Sequence, residues 1–357
     1  MKRYVDTQRN QSVTGRAVSW TGMLKHRFLT CIRKYGMLAG CMILVLNLSG
    51  CKLGNTQVMV GGDFSDNEVF KMKDIVCTLP EARVVLTNYQ NMYATMYGID
   101  LWNHEFPDND LEKYVKDLTI SRLAQIMAMD FLAEEKGIKL SEEEEGKIKE
   151  AAKEYFDSLN DAELEYMHVK QGDIEALYTR YGLANKLYTH LTQGVDDEVS
   201  DDEARIMEAQ QIFVTDDEKA KTVEKQLKEG SDFLSVANIY NEAPETEVTF
   251  GRTDVPPEVE EVAFSLENDQ VSDRITTEKG SYFLKCINHY NQEKTDDHKS
   301  VILEKRRKEA FDDVYSEFLT TLSSEFNEKV WKEVKVEIKK EVKTDQFFDV
   351  YEKHCNW

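Results

Sequence analysis

The chain lacks the usual signatures of cofactor and metal chemistry. It has no glycine-rich phosphate loop, no Cys-x-x-Cys pair and no His-x-x-x-His pair. Its seven histidines are scattered, with His26 in the basic N-terminal stretch and His104, His168, His190, His289, His298 and His354 isolated from one another. Positive charge is scarce too: 45 Lys and Arg stand against 67 Asp and Glu, a formal net charge of −22. Such a surface repels nucleic acid and offers nothing to phosphates. Beyond residue 50 no apolar run approaches the length that spans a bilayer. Neither metal nor cofactor is expected.

The first fifty residues are the exception to this acidity, with eight basic residues and one acid, Asp6. Lys25, Arg27, Arg33 and Lys34 precede an apolar run from Tyr35 to Leu48, and Leu48-Ser49-Gly50-Cys51 follows. A basic n-region, a short h-region and small residues before a cut describe a secretory signal over residues 1–50. Small residues directly before a Cys resemble the bacterial lipobox. That resemblance implies Cys51 as the first mature residue, lipidated on its sulfur, with the chain held on the extracytoplasmic face of a bacterial membrane. An uncut N-terminal anchor is the alternative, and either Met1 or Met23 serves as a start. Removing residues 1–50 takes the net charge from −22 to −29. The mature chain keeps four cysteines, Cys51, Cys77, Cys286 and Cys355, too scattered for a disulfide framework.

Residues 51–66 are Gly-rich and polar and read as a tether. Residues 67–199 are then almost wholly helical in pattern. Pro80 opens a helix whose apolar face carries Val85, Tyr89, Met92, Tyr93 and Met96, and Gly98 stops it. Asp108 to Lys136 repeats Leu111, Val115, Leu118, Leu123, Ile126, Met127 and Phe131 at helical spacing. Ser141 with Glu144 is a capping-box pattern for a helix reaching Leu159. Shorter and longer helices follow over Asp161–Met167 and Gly172–Leu191. The acidic stretch Gly194–Asp202 is the natural linker. After residue 296, a helix to Phe326 precedes Val334-Lys335-Val336-Glu337-Ile338, whose alternation predicts a strand pairing with Phe70–Val76.

Residues 203–290 read differently, as a compact mixed unit. Ala209-Gln210-Gln211-Ile212-Phe213-Val214 is β-prone, Asp216–Gly230 and Ser231–Tyr240 are helical, Pro256-Pro257 opens a short helix to Phe264, and Gly280–Ile287 is a second strand. The order is β-α-α-α-β. These residues resemble the parvulin family of peptidyl-prolyl isomerases, as in secreted foldases of the PrsA and SurA type. The first strand matches the family's opening Ala-Arg/Ser-His-Ile-Leu-Val. Pro257-Glu258-Val259-Glu260-Glu261-Val262-Ala263-Phe264-Ser265-Leu266 matches its Pro-Glu-Phe-Glu-Glu-Ala-Ala-Phe-Ser-Leu run, the most specific piece. Gly280-Ser281-Tyr282-Phe283-Leu284-Lys285-Cys286 matches its last strand.

The resemblance implies an α+β protein: a mostly helical, chaperone-like domain (67–199, completed by 296–357) with a parvulin-like domain (203–290) inserted into it. It also implies a foldase that binds unfolded or secreted client polypeptides and isomerises X-Pro bonds. That reaction needs no cofactor, because its barrier is the loss of amide resonance. An apolar pocket for the proline ring and polar groups favouring the twisted amide suffice. In the family the pocket comprises two histidines, an Asp or Cys, a Met, a Phe and a Leu. Here those positions fall on Gln211 and Tyr282, Ala243, Val255, Val259 and Phe250, with Phe264 adding apolar surface. Gln211 and Tyr282 are expected to bond across the pocket floor. The alternatives are a holdase with a degenerate parvulin domain and an assembly or adaptor lipoprotein.

Overall fold

Local sequence sets the helix starts. In α1 (Leu79–Tyr97), Thr78 and Glu81 cap each other: the Thr78 N–H donates to the Glu81 carboxylate at 2.7 Å, and the Glu81 N–H donates back to the Thr78 hydroxyl. Gly98 ends it in a left-handed turn at φ 90°. The computed structural model describes residues 57–60, 64–103, 111–337 and 339–357, with the backbone only for 57–60 and 103. The signal region, Cys51 and its lipidation, and His104 lie outside the described residues. Helix α2 (Leu111–Glu135) runs to the turn at Gly137, and α3 (Glu142–Ser158) starts on the expected Ser141–Glu144 capping box. Asn160 caps α4 (Asp161–Met167), and α5 (Gln171–Thr192) follows.

These helices pack as a bundle, α5 lying against both α2 and α3. Tyr155 of α3 and Tyr178 of α5 are fully buried. Between them sits α12 (Phe347–His354), whose Phe347 ring lies 5.2 Å from Tyr155 and 4.6 Å from Tyr178, centroid to centroid. The Tyr178 hydroxyl donates to the Phe347 carbonyl, which satisfies its polar end inside an aromatic core. Among the described residues no helix is long and apolar enough to cross a membrane.

Two four-stranded sheets complete the α+β fold. The first has the order β1-β8-β2-β3, from β1 (Gln57–Val60), β2 (Glu68–Met72), β3 (Ile75–Thr78) and β8 (Ser323–Phe326). Two expectations change here. The strand that joins β2 is Ser323–Phe326, not Val334–Ile338, whose described residues form no strand. The stretch expected as tether contains β1, paired parallel to β8. The β8 residues Ser-Ser-Glu-Phe carry little β signal. They pair because they follow α10 (Gln292–Leu319) directly and the turn delivers them to the edge of β2.

The second sheet has the order β5-β4-β7-β6, from β4 (Met207–Val214), β5 (Glu247–Phe250), β6 (Ile275–Thr277) and β7 (Gly280–Asn288). With α7 (Asp217–Lys228), α8 (Phe233–Tyr240) and α9 (Pro257–Ala263), the order is β-α-α-β-α-β-β rather than β-α-α-α-β. The two added strands have four and three residues and lie at the edges, too short to show a periodicity.

The acidic linker is tied down. Asp201, Asp202 and Glu203 of the short helix α6 (Asp201–Ala204) pair with Lys299, Arg252 and Arg306 respectively. Lys299 and Arg306 belong to α10, while Arg252 lies just after β5. His298 of α10 bonds to the Ala204 carbonyl at 2.9 Å, and a Cβ at Gly251 would sit 2.9 Å from its ring. A glycine is what lets the second sheet approach α10 this closely.

Candidate functional site

Strand alternation divides β4 into two faces. Met207, Ala209, Gln211 and Phe213 lie on one, and Gln210, Ile212 and Val214 on the other. The register Ala209↔Cys286, Gln211↔Leu284 and Phe213↔Tyr282 adds Cys286, Leu284 and Tyr282 to the first face. The opposite face is closed by α7 and α8, with Ile212, Val214 and Phe283 packed on Val223, Phe233 and Val236.

On the first face α9 closes one end. Val259, Ala263 and Phe264 are buried there against Met207, Ala209, Phe250, Leu284 and Cys286. Val248, Val255, Val262 and Tyr282 pack half-buried around this cluster. Phe250, Val259 and Phe264 therefore form a floor, and Val255 and Tyr282 a rim. The Phe264 ring is met edge-on by Phe250, with centroids 6.0 Å apart. The Arg252 and Arg205 guanidinium groups lie 4.7 and 5.4 Å from its centre. Asp202 holds Arg252 above its ordinary range, so this cation stays charged beside the ring. Burial pushes up the Cys286 thiol, which stays protonated and acts as core.

Gln211 and Tyr282 share the face but do not bond to each other. They are diagonal neighbours, two residues out of register, a residue-to-residue separation of roughly 7–8 Å. The Gln211 amide donates instead to the Glu245 carbonyl at 3.0 Å, while its backbone N–H donates to the Thr246 carbonyl. The loop it meets is built by Asn241, whose side-chain oxygen accepts from the Phe213 and Ala243 N–H groups. Ala243 lies in this loop, half-buried and outside the apolar cluster. Tyr282 stacks on Phe213 with ring centroids 4.6 Å apart and planes tilted by 39°.

Phe213 joins the candidate face beside Tyr282, at a position that the family pattern does not mark. Its signal was present in the sequence: it stands two residues from Gln211 in an alternating strand. Gly280 makes room for it, since a Cβ there would meet the Phe213 ring at 2.8 Å and the Val214 carbonyl at 2.5 Å. Across the rim the loop Gly251–Asp254 holds Thr253 at φ 66°, in the left-handed region. The Glu260 carboxylate fixes it by accepting from the Thr253 N–H and from Arg252.

The face thus has an apolar floor, an aromatic pair and one amide, and its thiol, Cys286, is buried in the core. Residues 193–298 match the family described as the PPIC-type PPIase domain. They form a parvulin-type domain. The chain is also similar to the foldase protein PrsA of Caldanaerobacter subterraneus subsp. tengcongensis, 24% identical over 243 residues, 59% of this chain and 72% of that one. A second PrsA foldase, of Halalkalibacterium halodurans, is 36% identical over 84 residues, 22% of this chain and 25% of its own. Among solved structures, PrsA of Bacillus cereus aligns at 17% identity over 81% of this chain and 100% of that one, with a TM-score of 0.37. Gln211 and Tyr282, the positions to which the resemblance assigns the family's two histidines, both lie on the first face of this domain.

Proposed function

We propose that this protein is an exported, lipid-anchored foldase that holds unfolded client polypeptides on its helical region. Its parvulin-type domain engages Pro-containing segments and turns over X-Pro bonds slowly. The observation that carries the reading is the first face of the second sheet. Phe250, Val259 and Phe264 are packed into a floor, while Val255, Tyr282, Phe213 and Gln211 remain partly accessible above it. That is a surface for an apolar ring beside a polar edge, without a titrating group to drive fast chemistry. The domain division proposed is a helical unit over 67–199 and 296–357 with the parvulin-type unit 203–290 inserted; the pairing of β2 with β8 from beyond the insertion supports it. Cys51 is proposed as the lipidated residue.

The test is the isomerisation rate of a Pro peptide. Wild type is expected to be weak and flat between about pH 6 and pH 8, where histidines titrate. Gln211→His with Tyr282→His leaves the ring poorly held. Adding Val255→Met and Val259→Phe is expected to raise the rate beyond either pair alone, since residues of one site are non-additive. A fast wild type would show an ordinary isomerase. A correctly folded quadruple variant with no gain would favour the holdase reading. The capture of the Gln211 amide by Glu245 supports that second reading, because the group is already bonded within the domain.

A further inference from the structure

The described residues on either side of residue 338 belong to no sheet; two short pieces, 334–337 and 342–346, are joined through a turn at Lys340-Glu341, where the Val342 N–H donates to the Lys339 carbonyl at 3.1 Å. Val334 and Val336 are buried about exposed Lys335, and Val342 and Thr344 about exposed Lys343, so each piece alternates as a half-buried strand does, while Lys339, Lys340 and Glu341 of the turn are exposed. An extended chain must place its backbone N–H and C=O groups somewhere. Here side chains of α1 and of the α4 region take them.

Gln90 acts as a substitute peptide unit. Its Nε2 donates to the Glu337 carbonyl at 2.5 Å, and its Oε1 accepts from the Glu337 N–H at 3.0 Å. Glu163 Oε1 accepts from the Lys343 and Thr344 N–H groups at 2.9 and 2.7 Å. Asn91 donates to the Thr344 carbonyl at 2.8 Å and Asn160 to the Glu341 carbonyl at 2.8 Å. The Tyr166 hydroxyl donates to the Lys335 carbonyl at 2.6 Å, and Asn88 accepts from the Phe347 N–H at 2.9 Å. Asn88, Gln90, Asn91 and Glu163 are each at most 4% exposed, so they were desolvated to make these bonds.

These contacts read backbone, which all polypeptides share; the side-chain contacts beside them, Thr95 donating to the Asp345 carboxylate at 2.8 Å and Lys335 near Glu112 at 3.7 Å, lie at the exposed margin. Beside the segment lies a cavity of about 160 Å³ lined by Gln90, Asn91, Trp102 and Val342, among others. The Trp102 indole N–H is buried without an acceptor among the described residues. The groove therefore extends past its present occupant.

We infer that the channel between α1 and α4 is a sequence-independent groove for extended polypeptide, with the chain's own residues 334–337 and 339–346 as its resident. An unfolded client competes for the groove by displacing this resident, which keeps the site closed and satisfied when no client is present. The inference rests on the client-holding reading above and gives that reading a place and a mechanism.

The test uses the full chain and a reduced, alkylated polypeptide that cannot refold. Hydrogen exchange of the wild type, with and without it, reads the amides of Glu337, Lys343, Thr344 and Phe347. Their protection is expected to fall on binding. Val336→Asp with Val342→Asp, which weakens the resident but leaves the groove, is expected to bind the polypeptide several-fold more tightly. Gln90→Leu in that background is expected to reverse the gain. If the wild type binds the polypeptide while those amides stay protected and Gln90→Leu changes nothing, clients are held elsewhere and the groove inference is overturned alone. If no variant binds, the client-holding reading falls and the groove with it. Should the double Asp variant not fold, the wild-type exchange experiment decides by itself.

Discussion

Two non-helical stretches of this molecule satisfy their backbones by opposite means. Strand β4 lies between β5 and β7, so backbone pairs with backbone and the side chains of the sheet face carry no structural duty to the ladder. Among the described residues, 334–337 and 339–346 have no ladder, so buried side chains of the helices hold their backbone. The sheet face can therefore change its chemistry at positions such as Gln211 and Tyr282 while the fold persists. In the helical region the same freedom does not exist, because Glu163 and Gln90 are themselves the backbone partners.

The sharpest test of this contrast is Glu163→Ala. It removes the acceptor of two N–H groups of the segment and of the Asn160 N–H that caps α4. Leaving buried donors unsatisfied is expected to cost about 4 kcal/mol, read as a lower denaturation midpoint with an unchanged slope. A loss below about 1 kcal/mol would mean that water replaces the carboxylate and that the segment is not held by it.

Gly280→Ala probes a place where the sheet does depend on a residue's identity. The added Cβ meets a backbone carbonyl at 2.5 Å at φ 151°, so about 2 kcal/mol of destabilisation is expected by thermal unfolding. Gln211→Ala on the same sheet breaks one amide bond to a loop carbonyl, and at most about 1 kcal/mol should be lost. A loss comparable to that of Glu163→Ala would erase the distinction between the two regions.

The smallest effect depends on pH. Lys219 and Thr215 bond to the Glu242 carboxyl and depress it to about 2. An unfolded Glu titrates near about 4.3. The group therefore stabilises the folded chain above that pH, and the contribution disappears as pH falls toward the folded value. Wild type is expected to melt slightly above Glu242→Gln at neutral pH. The gap is expected to narrow between about pH 5 and pH 3. A gap that stays constant over that range would show that the ion pair does not tie the Ala243 loop to the end of β4.

Much of the fold was legible in the chain because its signals are local. Capping boxes at Thr78–Glu81 and Ser141–Glu144 form as their spacing requires. Pro257 starts α9, and β4 and β7 alternate as half-buried strands. The residues expected to line an apolar pocket do pack together, since Phe250, Val259, Phe264, Val255 and Tyr282 meet in one cluster.

Tertiary structure decided which partner each polar group found. Val334–Ile338 has the stronger β pattern, yet Ser323–Phe326 takes the edge of β2 because the end of α10 delivers it there. The later segment is left to the side chains of α1 and the α4 region. Gln211 could have reached toward Tyr282 by residue type alone, but a two-residue offset in register and a nearer carbonyl at Glu245 sent it elsewhere. Propensity and periodicity act over a few residues and are written in the sequence. Competition for a backbone edge or a lone pair is settled among groups far apart in the chain, and it depends on distances that exist only once the chain has folded.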